Sequence, residues 1–402
     1  MTLAPPRPTV GVRPGREPGP WSLEEDRDAM AGRTHRIQID RSKPLRVEPQ
    51  TGHNRWHPDI PPILRVDPGD SVELQTRDAF DGQIGPDTSA ADVAQSDLSA
   101  VHPLTGPVYV NGAEPGDLLE VQIGEITPEP FGYTVEVPGF GFLRDYFPEP
   151  FIVHWDIEGA SATSADLPGV RIPGAPFMGV IGLAPSAELL RETAAREAAL
   201  LARGGAVLGP DPTGAVPSEE PIASTALRTI PPRETGGNLD IKQLAAGTTL
   251  LLPVFQEGAL FSVGDAHFAQ GDAEACGTAI EMSATFRGTF QLRKGAAARG
   301  GIRDVQFSRE EYFVDPRYVA PRRFFATTGL SVSKEGVNES EDVTLAARNA
   351  LLNMIDHLVA ERGYSRQQAY ALCSVAVDLK ISEVVDVPNF VVSAFLPLDI
   401  FV

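Results

Sequence analysis

The sequence predicts a mainly β fold with α+β additions: a β-sandwich or barrel-like core with a C-terminal helical hairpin packed on it. Three observations carry this reading. Alternating apolar and polar segments recur at short spacing behind Pro/Gly turns, the pattern of sandwiches and barrels rather than of βαβ units. Helical periodicity is confined to one stretch after Ser186 and a pair near the C-terminus. The chain has 402 residues, 42% hydrophobic and 22% charged, which is ordinary globular composition at a length that supports two or more layers of core.

Residues 1–34 open on a Pro-, Gly- and Arg-rich run without periodicity and predict a flexible extension. Residues 35–402 predict the folded unit, which starts where His35-Arg36-Ile37-Gln38-Ile39-Asp40 begins to alternate. Pro68-Gly69-Asp70 and Pro115-Gly116-Asp117 each precede an alternating segment, with Ala246-Gly247-Thr248 as a weaker third case. Proline presets the first central residue of a type II turn and glycine supplies the positive φ of the second, so each triplet aims a strand. Ser186 predicts the N-cap of a helix that stops at Gly204-Gly205, and an irregular Pro/Gly-rich excursion follows to Gly237. Over residues 340–380, Leu351, Met354, Ile355, Leu358 and Val359 form an apolar stripe closed by Gly363, and Ser365 with Gln368 makes a capping box for a second helix reaching about Asp378. The hydrophobic tail after Val387 calls for burial in the core or in a subunit contact.

A net charge of −20 argues against nucleic acid and anionic membranes, both of which attract Lys and Arg. No run approaches the roughly 18 apolar residues of a membrane helix, and Cys276 and Cys373 are too few for a disulfide framework. The expectation is a soluble, cytoplasmic protein.

Phe261 to Glu281 concentrates Asp265, His267, Asp272, Glu274, Cys276 and Glu281 in a run that is otherwise apolar and glycine-bearing. Acids beside apolar neighbours are costly unless a cation, a proton or a substrate compensates them, so this run is the first candidate site. Four other groups attract attention: Asp78 and Asp81 at the end of a strand, His102 and Glu114 around a Pro-Gly-Asp turn, Asn238 and Asp240 after two glycines, and His53 to His57 around Trp56. Each has a plain structural reading as turn, cap or lid, with Arg55 stacked on Trp56 in the last case. Glycine-rich nucleotide loops, a G-x-S-x-G elbow and an H-E-x-x-H helix are all missing.

Taken in order, His53-Asn54-Arg55-Trp56-His57-Pro58, Thr76-Arg77-Asp78-Ala79-Phe80-Asp81-Gly82, His102-Pro103-Leu104-Thr105-Gly106-Pro107, Gly236-Gly237-Asn238-Leu239-Asp240 and Gly264-Asp265-Ala266-His267 through Glu281 resemble the acetamidase/formamidase family, the formamidase branch most closely. The resemblance spans nearly all of 35–402 and implies a catalytic unit there. It implies hydrolysis of short aliphatic amides, formamide to formate and ammonia first, with a homo-oligomeric state and a divalent metal in some members. The family often has glycine where this chain has Ala273; alanine there strains the loop by about 1 kcal/mol if φ is positive.

Amide hydrolysis needs a strong nucleophile, oxyanion stabilisation and a proton for the leaving nitrogen. The expected scheme is a metal-activated water on a divalent ion, zinc first, held by Asp78, Asp240 and His267, with Asp265 as a further ligand or the orienter of His267. Glu274 or Glu114 is the expected acid/base, and Asp272 is a further catalytic candidate. His102, Asn238, Phe268 and Gln270 are the expected substrate contacts. Cys276 as nucleophile is a metal-free rival. Two alternatives keep the fold: hydrolysis of a larger amide or cyclic imide, and a non-catalytic module binding a metal or small ligand.

Overall fold

The computed structural model describes residues 32–310 and 323–402. Most of the expected flexible extension, residues 1–31, lies outside them, and the first strand begins at Thr34. The fold is mostly β with few helices, and its sheets do not close into a barrel.

The strands that position the site are β1 (Thr34–Ile37), β2 (Ser71–Thr76), β3 (Leu104–Val110), β4 (Leu118–Glu136), β5 (Phe151–Glu158), β6 (Phe177–Leu183), β7 (Gly236–Asn238), β8 (Thr249–Pro253), β9 (Phe261–His267) and β10 (Glu281–Arg293). They form one branched sheet whose main path runs β5-β4-β10-β9-β6-β7. β2 adds to β10 and carries β1 in parallel, β8 adds to β4, and β3 adds to β9. β9 is the hub, and every residue in it is buried. Phe261 packs edge-on to Phe290, ring centres 5.0 Å apart, in the core between the strands.

All three glycine turns form as the sequence predicts. Gly69, Gly116 and Gly247 have φ of +95°, +94° and +90°, and the residue after each donates its amide to the carbonyl three residues back, at 3.0, 3.1 and 3.1 Å. The aspartates are fasteners. Asp70 accepts the Arg33 and Asp67 amides, and Asp117 accepts those of Glu114 and Gly295.

Helix α1 (Ala187–Ala202) is capped by Ser186, whose hydroxyl accepts the Leu189 amide. The C-terminal pair, α2 (Val343–Arg362) and α3 (Arg366–Ala376), is separated by Gly363 at φ +71° and the Ser365–Gln368 capping box. α3 ends two residues short of the expected Asp378, because Asp378 opens a strand and takes the Asp272 amide on its carboxylate. The hydrophobic tail enters the core as β13 (Val391–Pro397). It is the middle strand of a three-stranded sheet between β11 (Phe324–Leu330) and β12 (Asp378–Glu383), with Val392, Ala394 and Leu396 buried. No described helix is long and apolar enough to cross a membrane.

Candidate functional site

The site is assembled by antiparallel register. Asp265 and His267 are two apart on β9, and their side chains meet on one side of it, both reaching the position where a Gly179 side chain would point. His267 stands directly opposite Glu281 at the start of β10. The 270–277 loop between these strands delivers Glu274, and the turn after β7 delivers Asp240. On β6, Gly179 lies where a side chain would point into this group. An added Cβ would sit 2.7 Å from Asp240 Oδ1, Asp265 Oδ2 and His267 Cε1 alike.

His267 Nε2 is 3.2 Å from Glu281 Oε2, 3.4 Å from Asp265 Oδ1 and 3.9 Å from Glu274 Oε1. Asp240, His267 and Glu274 form one group with ligand spacing, and Asp265, His267 and Glu281 form another. Backbone strain marks the same residues: φ is +50° at Asp240, +55° at Asp265, +98° at Ala273 and +45° at Glu274. Such conformations cost about 1–2 kcal/mol each for non-glycine residues and persist where the surroundings impose them. The strain expected at Ala273 is therefore present.

Asp240 Oδ1, Asp265 Oδ1, His267 Nε2 and Glu281 Oε2 are buried without a hydrogen-bond partner. Orphaned atoms of this kind each cost about 1–3 kcal/mol, and here they converge. Burial pushes Asp240 up to about 7 and Glu281 up to about 8. Burial and the neighbouring Asp240 carboxylate raise Glu274 well above its usual range. For His267 burial favours the neutral ring, but Glu281 and Asp265 outweigh it and hold the proton. Asp265 shows the converse. Burial would raise it, yet His102 and His267 pull it well below the usual carboxylate range. Acid oxygens and one imidazole nitrogen aimed at a common space lined by Gly179 are a donor set that fits a divalent cation.

The remaining expected residues divide. His102 joins the site, with Nε2 3.8 Å from Asp265 Oδ2 and a buried Nδ1 without a partner. Asn238 is close by on β7, opposite Val180, and its Oδ1 is likewise buried and unpartnered. Gln270 bonds to His267. Phe268 is a buried wall whose ring fills the space beside Gly174. Asp272 faces a different way, towards Gln243, Lys242 and Lys380, in the wall of a cavity of about 570 Å³. Asp78 is set apart from both ligand-spaced groups; its carboxylate accepts the Tyr133 hydroxyl at 2.6 Å and the amides of Phe80 and Gly82. Glu114 is at the surface, paired with Lys294 at 2.8 Å. Cys276 is buried with Sγ near the Val135 and Thr278 carbonyls, and burial pushes its thiol up to about 12. Arg55 does not stack as a lid. It is fully buried and donates to the carbonyls of Asn54, Ser99, Asp211 and Thr213.

Residues 38–402 match the acetamidase/formamidase family. The chain belongs to that family. Within it, an acetamidase of Mycolicibacterium smegmatis is 40% identical over 84% of this chain and 88% of its own length. A formamidase of Methylophilus methylotrophus is 38% identical over 91% and 93%. Among solved structures, a gamma lactamase from Delftia acidovorans is 38% identical, covers 92% of this chain and 93% of its own, and superposes with a TM-score of 0.86. Family membership makes the chain an enzyme that hydrolyses carbon–nitrogen bonds of amides.

The geometry brings forward two residues that the sequence alone left out of the site. Glu281 was legible as the acid opening the strand after the loop, one hairpin register from His267. Gly179 was legible only as a glycine inside an apolar strand, a sign of close approach.

Proposed function

We propose that the chain hydrolyses short aliphatic amides, formamide to formate and ammonia first, at the cluster of Asp240, Asp265, His267, Glu274 and Glu281. The observation that carries this is the convergence of four buried, unpartnered polar atoms above Gly179. Asp265, His267 and Glu281 are at most 2% exposed, a depth that favours substrates with little or no side chain. The acetamidase and formamidase relatives support the same class.

Asp240, Asp265, His267 and Glu281 would hold the ion, with zinc the first candidate and Glu274 left beside it as the acid/base. Such an ion, when bound, lowers the pKa of water towards 7 and polarises a carbonyl. Glu274 has more solvent access than Asp265 or Glu281, and burial raises its carboxyl well above the usual range. As a carboxylate Glu274 would take a proton from the attacking water, and as the resulting acid it would deliver that proton to the departing nitrogen. Water oxygen bonds to the carbonyl carbon, the carbon–nitrogen bond breaks, and carboxylate and ammonia leave. His102 and Asn238 would hold the amide, a role supported by the buried, unpartnered Nδ1 and Oδ1. Asp78 and Glu114 have no part in this scheme. Assembly with further copies of the chain belongs to the same reading, supported by the exposed Phe324, Val385 and Val387.

A second reading, hydrolysis of a small lactam, is supported by the gamma lactamase relative. The deciding assay is ammonia release from formamide and acetamide beside ring opening of a γ-lactam, before and after chelation and after zinc is restored. Formamide turnover lost on chelation and regained with zinc is the expected result. Turnover of the lactam alone selects the second reading, and full activity after exhaustive chelation removes the metal from the first.

A further inference from the structure

Gln270 is 6% exposed and spends both ends of its amide inside the protein. Nε2 donates to the main-chain carbonyl of Asp240 at 2.7 Å, and Oε1 lies 3.0 Å from His267 Nδ1. The main-chain carbonyl can only accept, so the amide nitrogen must face Asp240 and the amide oxygen must face the ring. An oxygen facing Nδ1 requires a proton on Nδ1. Nε2 is then the nitrogen turned towards Glu281, Asp265 and Glu274, where it has no hydrogen-bond partner. Phe177, edge-on to the imidazole with ring centres 5.0 Å apart, limits rotation of the ring.

We infer that Gln270 is a positioning residue rather than a substrate contact: by accepting the Nδ1 proton of His267 while anchored to the Asp240 main chain, it turns Nε2 towards the carboxylates and ties two candidate metal ligands into one unit. The same bond keeps the Asp240 turn at its distance from β9, because Gln270 spans the gap between them. The metal consequence rests on the function proposed above, whereas the ring orientation does not. A ligand histidine whose other nitrogen loses its partner typically costs 10- to 100-fold in metal affinity.

The test uses the full chain, labelled with nitrogen-15 at histidine and stripped of metal, and observes the His267 Nδ1–H resonance, assigned by its loss in His267→Gln. A downfield, exchange-protected Nδ1–H in the wild type, retained in Gln270→Glu and moved upfield or lost to exchange in Gln270→Met, is the expected pattern. The second measurement is zinc affinity by chelator competition, expected to fall about 10- to 100-fold in Gln270→Met and by less in Gln270→Glu, which keeps the acceptor facing Nδ1 but loses the donor to the Asp240 carbonyl. An Nδ1–H that is absent from the wild type, or that survives unchanged in folded Gln270→Met, overturns the inference. If Gln270→Met does not fold, the wild-type and Gln270→Glu spectra still decide it. If the wild type binds no zinc, the metal reading fails by itself, and the resonance still decides the role of Gln270.

Discussion

His267 and Glu281 face one another as direct cross-strand partners, with Nε2 3.2 Å from Oε2. The other oxygen of Glu281 accepts the Ala279 amide at 2.9 Å, so the carboxylate cannot rotate away. Glu281→Gln keeps the size and this bond but removes the charge. The expected outcome is a loss of bound zinc of about 10- to 100-fold in affinity, with amide turnover falling in step, as read by metal analysis and ammonia release on the same preparation.

Asp78 provides the contrast. Its carboxylate is consumed by Tyr133, Phe80 and Gly82, so its work is to hold the turn after β2. Asp78→Asn should leave zinc content unchanged and lower stability by about 1–3 kcal/mol, the cost of a disrupted buried network. Urea unfolding beside metal analysis separates the two effects, and zinc loss without destabilisation would return Asp78 to the ligand set.

Gly179 is where the space itself can be tested. Its φ is not in the left-handed region, so alanine meets no backbone penalty, yet its Cβ would press on three site residues at 2.7 Å. Gly179→Ala is expected to abolish zinc binding and turnover while costing about 1–3 kcal/mol, the usual range for an overpacked methyl. Circular dichroism and thermal melts would show a folded, inactive protein.

The turns, caps and helix ends were legible because each rests on a local rule: Gly69 and Gly116 need positive φ, Ser186 and Ser365 need an amide to cap, and Gly363 ends a helix. The density of acids around His267 was legible for the same reason, since unbalanced burial shows in sequence. What a local rule cannot supply is which distant acid completes the set. Asp240 and Asp78 both follow a strand and a turn, and only the pairing of β7 with β6 brings one of them over Gly179. Glu114 had the right chemistry and a poor address, since the Asp117 turn that follows it keeps it beside Lys294 at the surface.

Cys276 decides between metal-assisted and thiol chemistry. Burial raises its thiol to about 12, which leaves almost no thiolate at neutral pH. A serine hydroxyl in its place finds the Val135 and Thr278 carbonyls as acceptors. Cys276→Ser should therefore keep wild-type turnover, and loss of ammonia release in a folded Cys276→Ser protein would revive the nucleophile reading.

Glu136, at the end of β4, is buried with neither carboxylate oxygen hydrogen-bonded. Burial pushes it from 4.5 up to about 9. The native state thus keeps a proton that the unfolded chain releases above about 4.5. Between roughly pH 4.5 and 9 the folded form binds more protons, so stability falls as pH rises, by at most about 1.4 kcal/mol per unit. An amide in place of this carboxyl has no such proton to lose. Glu136→Gln is accordingly expected to match the wild type near pH 5 and to exceed it increasingly towards pH 9. Urea midpoints measured across that range check the slope, and parallel profiles for the two proteins would show that Glu136 is already ionised in the fold.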